Sequence, residues 1–368
     1  MQKIMFIVIM LAVIIGANFY VFWRLWHMIP QGNPLRWVVL AFGVVAVSSV
    51  FIALLFGSNM PQGLAGFLYK LGTSWFFFMI YFAMLFLVAD ILRLCGVPLR
   101  QYMFGSWTGF FVSVGIVAAV IIAGNIKYYN KKRVELTLTV EKPLPPQGLK
   151  VVAVSDLHVG YTIGKKELGK WIELINAENP DVVLIAGDVT DKRAWRLTED
   201  GIAPEFRKIR AKYGVFASLG NHEYINNVDE SLAFLREAGM TVLRDSAVSV
   251  DSLFYVVGRD DNTNRNRQPL ARLTEGLDRS LPVLLLDHQP YNLEQAEENG
   301  IDFQISGHTH RGQVWPISWV TDAMYEKSHG YLKKSGSHIY VSSGLGIWGG
   351  KYRIGTQSEY VVITLKEK

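Results

Sequence analysis

Aspartate, histidine and asparagine side chains follow five short apolar segments in the C-terminal two-thirds of the chain. Each segment has the composition of a buried β-strand and ends in a short polar motif. In chain order the motifs are Asp156-Leu-His158, Gly187-Asp188, Gly220-Asn-His-Glu223, Asp287-His288 and Gly307-His-Thr-His310. Because ligands bind outside the carboxyl ends of strands in open α/β sheets, we expect these side chains to converge at one edge. Carboxylate, amide and imidazole donors without thiolate suit Mn, Fe, Zn, Co or Ni, so the pattern predicts a metal site.

The spacing within these motifs favours shared ligands over isolated structural histidines. Asp156 and His158 are two residues apart, so their side chains leave the strand end on the same side. The glycines that precede several of the motifs allow sharp turns and a close approach. A second ion beside the first needs a bridging carboxylate, and Asp188 is the natural candidate. Five of the eight histidines lie in these motifs, and the other three, which we interpret as ordinary, are His27, His329 and His338.

The elements that would position these motifs alternate between strands and helices. Residues 134–140 alternate apolar and polar side chains, which is typical of a half-buried strand. Further predicted strands are 149–154, 182–186, 215–219, 254–257, 283–286, 303–305, 338–341 and 360–365, and the predicted helices are 165–177, 205–212, 229–238, 270–277 and 292–299. This order indicates an α/β domain with a mixed sheet.

Four apolar stretches precede that domain, at residues 5–23, 37–57, 71–92 and 107–124. Each is close to the roughly 20 residues that a helix needs to cross a bilayer. Tryptophan and tyrosine lie near their ends, where amphipathic rings prefer the membrane interface. A signal peptide is the alternative for the first stretch. We favour a membrane span, because the stretch is long, lacks a clear small-x-small cleavage site and is followed by three more.

The composition supports this division of the chain. Half of the residues are hydrophobic, and the mean hydropathy of +0.19 is high for a soluble protein. The first 125 residues carry six basic side chains and a single acid, Asp90, whereas the remainder carries 31 of each sign. A nucleic-acid-binding protein would concentrate basic residues on its folded domain, so no nucleic-acid partner is expected. We predict a transmembrane domain at 1–125, a basic juxtamembrane linker with the first strand at 126–148, and the metal-binding domain at 149–368.

The basic residues of the short connections predict the orientation. With four spans both termini lie on one side, together with Lys3, Lys70, Lys127, Lys131, Lys132 and Arg133, while the other side has Arg24, Arg36, Arg93 and Arg100. Because lysine and arginine favour the cytoplasmic side, we expect a multi-pass protein of the cell (inner) membrane with a cytoplasmic metal-binding domain. Asp90 lies near the end of the third stretch and close to Arg93, so we interpret it as an interfacial or paired acid. The single cysteine, Cys95, excludes a disulfide within the chain and a cysteine-based zinc site.

Taken together, the five motifs resemble those of the calcineurin-like metallophosphoesterase superfamily. The resemblance covers residues 134–365 and is nearest to the bacterial membrane-associated phosphodiesterases, which are similar in Gly307-His-Thr-His-Arg-Gly-Gln313 and in Tyr340-Val-Ser-Ser-Gly-Leu-Gly346. It implies a four-layer mixed-sheet sandwich and two divalent metal ions. One ion would take Asp156, His158 and His310, and the other would take Asn221, His288 and His308, with Asp188 bridging both. Two ions ~3.5–4 Å apart would hold a hydroxide for in-line attack on phosphorus.

The resemblance gives His222 a different role, as a group that protonates the leaving oxygen or stabilises its charge. Glu223 would either orient that imidazole or be a surface or helix-start acid. Arg311 is a candidate phosphate contact. We interpret Asp260 and Asp261 as turn residues rather than ligands. Trp348 and Tyr352 are either lipid-facing or ordinary packing residues.

The expected function is hydrolysis of a phosphomonoester, phosphodiester or pyrophosphate bond, most readily as a phosphodiesterase. Four spans favour a lipid or lipid-linked substrate, and the specific alternative is a nucleotide-diphosphate-lipid pyrophosphatase of glycolipid synthesis. Another alternative is a non-catalytic membrane scaffold, which should have lost ligands that this chain retains. A channel or transporter would need polar residues inside the spans, where Asp90 is the only acid. Metal identity and oligomeric state stay open.

Overall fold

The computed structural model describes the backbone of residues 2–368, without the side chains of residues 2–4, 6 and 7. The Lys3 side chain, one of the charges used to predict the orientation, therefore lies outside the described part. By its internal contacts the chain divides after Asn125 into two compact units, and the second is Ile126–Lys368.

The first unit is helical. Its helices are α1 (Gln2–Met28), α2 (Leu35–Phe56), α3 (Gln62–Leu94), the single turn α4 (Arg100–Met103) and the start of α5 (Trp107–Tyr129). Four of them are long and apolar enough to cross a membrane. A helix satisfies its own backbone hydrogen bonds, which is what a lipid environment requires. The third helix is longer than the predicted 71–92 and includes Lys70, which was predicted to lie in a connection.

An ion pair joins α1 and α3 within this apolar unit. The Arg24 guanidinium is 4% exposed and contacts the Asp90 carboxylate. The Tyr20 hydroxyl donates to the same carboxylate at 2.5 Å, and Arg93 lies farther away at 3.7 Å. The main partner of Asp90 is therefore Arg24, a residue that the sequence analysis placed in a connection. A buried charge in a membrane helix requires such a partner.

Two six-stranded sheets form the centre of the second unit. The first has the order β1-β12-β2-β3-β4-β5 and the second β10-β11-β9-β8-β7-β6. The strands are β1 (Lys132–Val140), β2 (Leu149–Val154), β3 (Val182–Ala186), β4 (Val215–Ser218), β5 (Thr241–Val242), β6 (Ser246–Val250), β7 (Phe254–Gly258), β8 (Val283–Leu286), β9 (Phe303–Ser306), β10 (Gly330–Lys334), β11 (Ser337–Val341) and β12 (Glu359–Glu367). The helices are α6 (Lys165–Ala177), α7 (Ala194–Glu199), α8 (Ala203–Phe206), α9 (Asn221–Ile225), α10 (Val228–Glu237), α11 (Leu270–Leu273), α12 (Glu294–Glu298) and α13 (Ile317–Met324).

The alternation of side chains along the strands produces four layers. In β2, Val151 and Ala153 point into the core between the two sheets, while Val152 and Val154 pack with α6. In β8, Leu284 faces the central core and Leu285 packs with the helices on the far side. Successive strand residues point to opposite faces, so each fully apolar strand supplies two cores. The predicted mixed-sheet sandwich is confirmed.

Two predicted helices are wrong in extent. The helix expected at 205–212 ends at Phe206, because Asn176 of α6 bonds the backbone at Lys208 (2.9 Å) and Arg210 (2.8 Å). The helix expected at 270–277 ends at Leu273, shortly before Gly276, whose φ is +81°. The first case is a tertiary contact that replaces the hydrogen bonds of a helix, and the second is a backbone conformation suited to glycine.

Candidate metal centre

The residues that follow β2 and β9 form a first group of ligand atoms. One atom each from Asp156, His158 and His310 lies within 4.8 Å of the others. The two imidazole Nε2 atoms are 3.0 Å apart, and His310 Nε2 is 3.5 Å from Asp156 Oδ1. All three side chains are buried. Two lone-pair-bearing nitrogens that face each other across a carboxylate form a suitable cradle for a cation.

A second group forms from the ends of β3, β8 and β9. Asp188, His288 and His308 again place one atom each within 4.8 Å. His288 Nδ1 lies 2.7 Å from the Ala186 carbonyl oxygen, to which it donates, and its Nε2 lies 3.2 Å from Asp188 Oδ2. Asn221, the first residue of α9, has its Oδ1 2.9 Å from His308 Nδ1. The backbone acceptor fixes the tautomer of His288 and leaves Nε2 for the site.

Asp188 lies between the two groups. Its Oδ2 is 3.2 Å from His288 Nε2 and 3.8 Å from His158 Nε2, and its Oδ1 accepts the backbone N–H of His222 at 2.8 Å. A carboxylate in this position reaches both groups. The structure thus brings together all seven residues that the sequence analysis proposed as ligands.

Left-handed backbone conformations direct these side chains inward. The φ angle is positive at Asp156 (55°), His158 (47°), Asp188 (51°), His308 (68°) and His310 (47°). A positive φ is uncommon outside glycine and costs free energy, and such residues cluster at functional sites. Strands β2, β3 and β9 therefore end in turns that aim their polar side chains at the common centre.

The donor set fits divalent metal ions. His288 Nε2, which faces Asp188, is buried without a hydrogen-bond partner among the described residues. Burial lowers the pKa of His308 to about 4 and that of His310 well below its usual range. Both imidazoles are therefore neutral at neutral pH, which is the form that binds a metal. Buried polar atoms without partners are rare in proteins and call for a ligand.

Comparison with known proteins identifies the family. Residues 149–312 match the model of the calcineurin-like phosphoesterases. An uncharacterized metallophosphoesterase of Campylobacter jejuni is 31% identical over 265 residues, which is 70% of each chain. The chain belongs to the calcineurin-like metallophosphoesterases.

Two further relatives show the breadth of the similarity. An uncharacterized metallophosphoesterase of Helicobacter pylori is 34% identical over 226 residues, 60% of each chain. A transmembrane protein with metallophosphoesterase domain from Danio rerio is 30% identical over 281 residues, 72% of this chain and 64% of the relative. The chain thus spans less than two thirds of the length of these two relatives. The four apolar helices and the transmembrane relative together indicate that this metallophosphoesterase is a membrane protein.

His222 lies beside the ligand groups and is held by a residue that the sequence analysis missed. Its Nδ1 is 2.9 Å from Asp191 Oδ1, and its ring centroid is 4.5 Å from that of His158. Burial acts to lower the pKa of His222, but Asp188 and Asp191 outweigh it and raise that pKa to about 9. The signal in the sequence was the position of Asp191, which follows Asp188 by three residues in Gly187-Asp-Val-Thr-Asp191.

Glu223 is a buried acid at the start of helix α9. Its fully buried carboxylate accepts the backbone N–H groups of Asp188 (3.0 Å), Val189 (2.9 Å), Thr190 (2.9 Å) and Gly220 (2.8 Å). It therefore joins the turn after β3 to the start of α9, and does not contact the His222 ring in the way that Asp191 does. The prediction of an acid at a helix start is confirmed, because Glu223 lies in the first turn of α9 and caps it, but the side chain is buried rather than at the surface.

Arg353 is a second unpredicted residue that shapes the centre. Its guanidinium is completely buried and donates to the carbonyl oxygens of His310 (2.7 Å), Gly346 (3.1 Å) and Ser343. The segment 342–346 in turn packs on the Asp156 turn, where the Gly346 N–H donates to Asp156 O at 3.0 Å. Arg353 therefore stabilises both the His310 turn and the segment that packs on the Asp156 turn.

The other candidates lie outside the ligand groups. Arg311 is half-buried and follows His310, and its Nε is buried without a hydrogen-bond partner among the described residues, which keeps it a candidate phosphate contact. Asp260 accepts from Tyr224 and Arg244, and Asp261 Oδ1 accepts the Thr263 N–H at 2.8 Å, as a turn residue does. Trp348 and Tyr352 are half-buried. The remaining histidines have partners elsewhere: Trp23 O for His27, Glu359 for His329, and Tyr331 and Thr139 O for His338.

Proposed function

We propose that this metallophosphoesterase is a membrane-anchored phosphodiesterase with two divalent metal ions. The observation that carries the proposal is the convergence of two ligand groups on one shared carboxylate, Asp188. Membership in the family supports the hydrolysis of a phosphoester. The diester preference, the two-ion site and the lipid substrate are the further steps of the proposal.

The proposed ligands follow the two groups. Asp156, His158 and His310 would hold one ion, and a second ion would bind Asn221, His288 and His308, with Asp188 shared. When bound, two divalent cations would supply positive charge at the phosphate oxygens and an acidified water as nucleophile, and either Mn, Zn, Fe, Co or Ni fits this donor set. The protein contributes the geometry, since left-handed turns direct five of the seven proposed ligands and the Ala186 carbonyl oxygen holds His288.

His222 is proposed as the general acid. Asp188 and Asp191 raise the pKa of its imidazole, which favours the protonated form. Asp191 accepts from Nδ1, so the proton at the other ring nitrogen is the one available to a leaving oxygen. Proton donation of this kind is typically worth ~10²–10⁴ in rate. Arg311, with an unpaired Nε, is proposed to contact a phosphate oxygen.

A lipid or lipid-linked phosphoester is the substrate class that the membrane helices favour. Four apolar helices in the same chain keep the site close to a bilayer. A nucleotide-diphosphate-lipid pyrophosphatase is the specific alternative, because the same metal chemistry cleaves a pyrophosphate bond. A non-catalytic scaffold is less well supported, since every proposed ligand and His222 are retained in position.

We further propose the domain limits and the orientation of the chain. The transmembrane domain would comprise residues 1–125, followed by the linker and first strand at 126–148 and the catalytic domain at 149–368. The protein would lie in the cell (inner) membrane with the catalytic domain in the cytoplasm, where positive flanking residues favour it.

Hydrolysis of bis(p-nitrophenyl) phosphate by the purified full-length protein tests the activity. The protein would be loaded in turn with Mn, Zn, Fe, Co, Ni and Mg, and compared with Asn221→Ala and His222→Ala. We expect metal-dependent turnover that both variants lose, with the bound metal decreasing only in Asn221→Ala. A folded, metal-loaded wild-type protein without turnover of this or any lipid phosphoester would favour the scaffold.

The substrate class needs a separate comparison. Phospholipids, nucleotide-diphosphate lipids and soluble cyclic nucleotides would be supplied at equal concentration in detergent to the active metal form. A clear preference for a lipid would support the proposal, and the identity of the released group would separate a diesterase from a pyrophosphatase. Preference for a soluble nucleotide would contradict it.

A further inference from the structure

Helix α13 exposes an apolar face on the second unit. Trp319 is 65% exposed, Val320 55% and Met324 59%, whereas Ser318 on the opposite side is 5% exposed. The residues at positions 319, 320 and 324 lie on one face of a two-turn helix. Exposed apolar residues that are grouped, rather than scattered, indicate an interaction surface.

This helix is fastened to the metal centre. The Cβ position of Gly312 lies within 2.6 Å of the α13 backbone at Ile317 and Ser318, so only glycine permits this contact with the turn that carries His310. The Thr309 hydroxyl donates to the Ser328 carbonyl oxygen at 2.6 Å. This hydrogen bond holds the segment after α13 against the turn 308–310. The apolar face therefore has a fixed position relative to the ligand turn 308–310.

The start of α13 is also close to the place where the chain leaves its last apolar span. The Gln357 side chain donates to the carbonyl oxygens of Lys127 and Asn130, at the end of α5. Three residues earlier, Ile354 O accepts the Trp315 N–H at 2.6 Å, immediately before α13. Three extended residues span at most ~10 Å. The end of α5 at residues 127–130 therefore lies a short distance from the start of α13.

We propose that the apolar face of α13, formed by Trp319, Val320 and Met324, lies in the interface of the bilayer. Its partner is the lipid bilayer of the chain's own membrane, not another protein. Tryptophan prefers the interfacial region, and a short amphipathic helix binds there with its apolar side among the acyl chains. The position of α13 beside the ligand turn would hold the mouth of the metal centre at the level of lipid head groups. This last step rests on the proposed function, whereas the contact itself does not.

Site-directed labelling of the full-length protein tests the contact. Cys95→Ser removes the single cysteine, and Trp319→Cys, Met324→Cys, Trp195→Cys and Ser280→Cys then each provide one site for a nitroxide spin label. Trp195 is a matched control because it is an exposed tryptophan (42%) on another helix, and Ser280 is a polar reference. The proteins would be reconstituted in vesicles of phosphatidylethanolamine and phosphatidylglycerol.

We expect labels at 319 and 324 to be accessible to membrane-soluble oxygen and protected from a water-soluble nickel complex, with the reverse at 280. Equal access of the nickel complex at 319, 324 and 280 would overturn the proposal. Strong dipolar broadening between labels at 319 of separate copies would also overturn it, in favour of a second copy of this chain as the partner. Neither measurement requires turnover, so it separates this proposal from the proposed activity.

A kinetic comparison tests the consequence for catalysis. The double variant Trp319→Ser/Met324→Ser should lose about tenfold of its activity on a phospholipid in vesicles, which corresponds to about 1.4 kcal/mol of lost contact. Turnover of bis(p-nitrophenyl) phosphate in solution should be unchanged. Equal losses on both substrates would show a general structural defect and contradict a role in presenting lipid.

Discussion

The imidazole of His222 has two nitrogens with different tasks. Nδ1 is committed to Asp191 at 2.9 Å, so the other nitrogen is left for the substrate. Asp191 is buried, so we expect it to act through His222 rather than by contacting the substrate. An acid supported in this way matters most when the leaving group is poor, because a good leaving group departs without a proton.

Asp191→Asn should therefore lower kcat by about 10–100-fold, as loss of a supporting carboxylate typically does. The loss should be larger for an alkyl phosphodiester than for a p-nitrophenyl diester. Steady-state kinetics across a series of leaving groups, with metal analysis, would measure this. Asp200→Asn is a control, since that acid pairs only with Lys192 outside the ligand groups. A loss that is independent of the leaving group would exclude the orienting role.

The sequence pattern predicts the proposed metal ligands, but not the residues that hold those ligands in place. The seven proposed ligands could be found because each directly follows an apolar strand, and the strands deliver them to one edge. The roles of Asp191 and Glu223 could not be predicted in this way, because they depend on which turns these side chains contact in the folded chain. Arg353 lies far along the chain from His310, and only the folded structure brings its guanidinium to that carbonyl oxygen.

Among the elements, the glycine-containing segment 342–346 controls the position of the Asp156 turn. A Cβ on Gly346 would lie 2.2 Å from Leu157 O and 2.5 Å from Asp156 O. Gly346→Ala must therefore push the turn that carries Asp156 and His158 away. Since displacements of about 1 Å can cost on the order of 10²-fold in rate, we expect a large loss of activity together with weaker metal binding.

The matched control is Gly336→Ala in the turn between β10 and β11, where an added Cβ meets no atom within 4 Å. Titration of the metal-free proteins with Mn or Zn, followed by calorimetry, would compare the two variants. Equal metal affinity for Gly346→Ala and the wild type would contradict the proposed coupling between this segment and the first ligand group.

Helices α1 and α3 are joined in the apolar unit by Arg24 and Asp90. Asp90→Leu would leave the Arg24 guanidinium buried without its counter-charge, which should destabilise the protein by about 3–5 kcal/mol. The double variant Arg24→Met/Asp90→Leu should recover most of that loss, because an apolar pair replaces the ion pair. Thermal unfolding in detergent would measure both, with Arg93→Gln, 3.7 Å from Asp90, as the weak control. No recovery in the double variant would show that the charges serve something other than pairing.

Local patterns predicted most elements, and tertiary contacts explain the exceptions. Residues 165–177 form a helix as predicted, because their amphipathic repeat matches the face that packs on β2 and β3. The helix predicted at 205–212 does not continue beyond Phe206, because the Asn176 side chain bonds the backbone at Lys208 and Arg210. Helix α13 was not predicted, because its short apolar run has no buried apolar face. Its exposed apolar face is informative only once the structure shows that the helix lies beside the turn 308–310. The pairing of Arg24 with Asp90 joins residues 66 apart and has no local signal.

At the scale of the whole molecule, the orientation decides which phosphoesters the metal centre can reach. Cys95 directly follows α3 and is exposed, so it marks the connection between the third and fourth apolar helices. With four spans, that connection lies on the side opposite to the second unit. If the second unit is cytoplasmic, a membrane-impermeant maleimide should modify Cys95 in intact spheroplasts.

A second protein, Cys95→Ser/Lys366→Cys, carries its thiol on the exposed end of the second unit. This thiol should react only after the spheroplasts are lysed, whereas Cys95 should react before. The reverse result would place the metal centre outside and make exported or outer-leaflet lipids the substrates to test. Because the short connections of the four spans carry only a modest excess of positive charge on one side, this experiment decides the orientation more strongly than composition does. It also fixes the leaflet in which α13 would be found, so that the vesicle and labelling experiments address the same lipids.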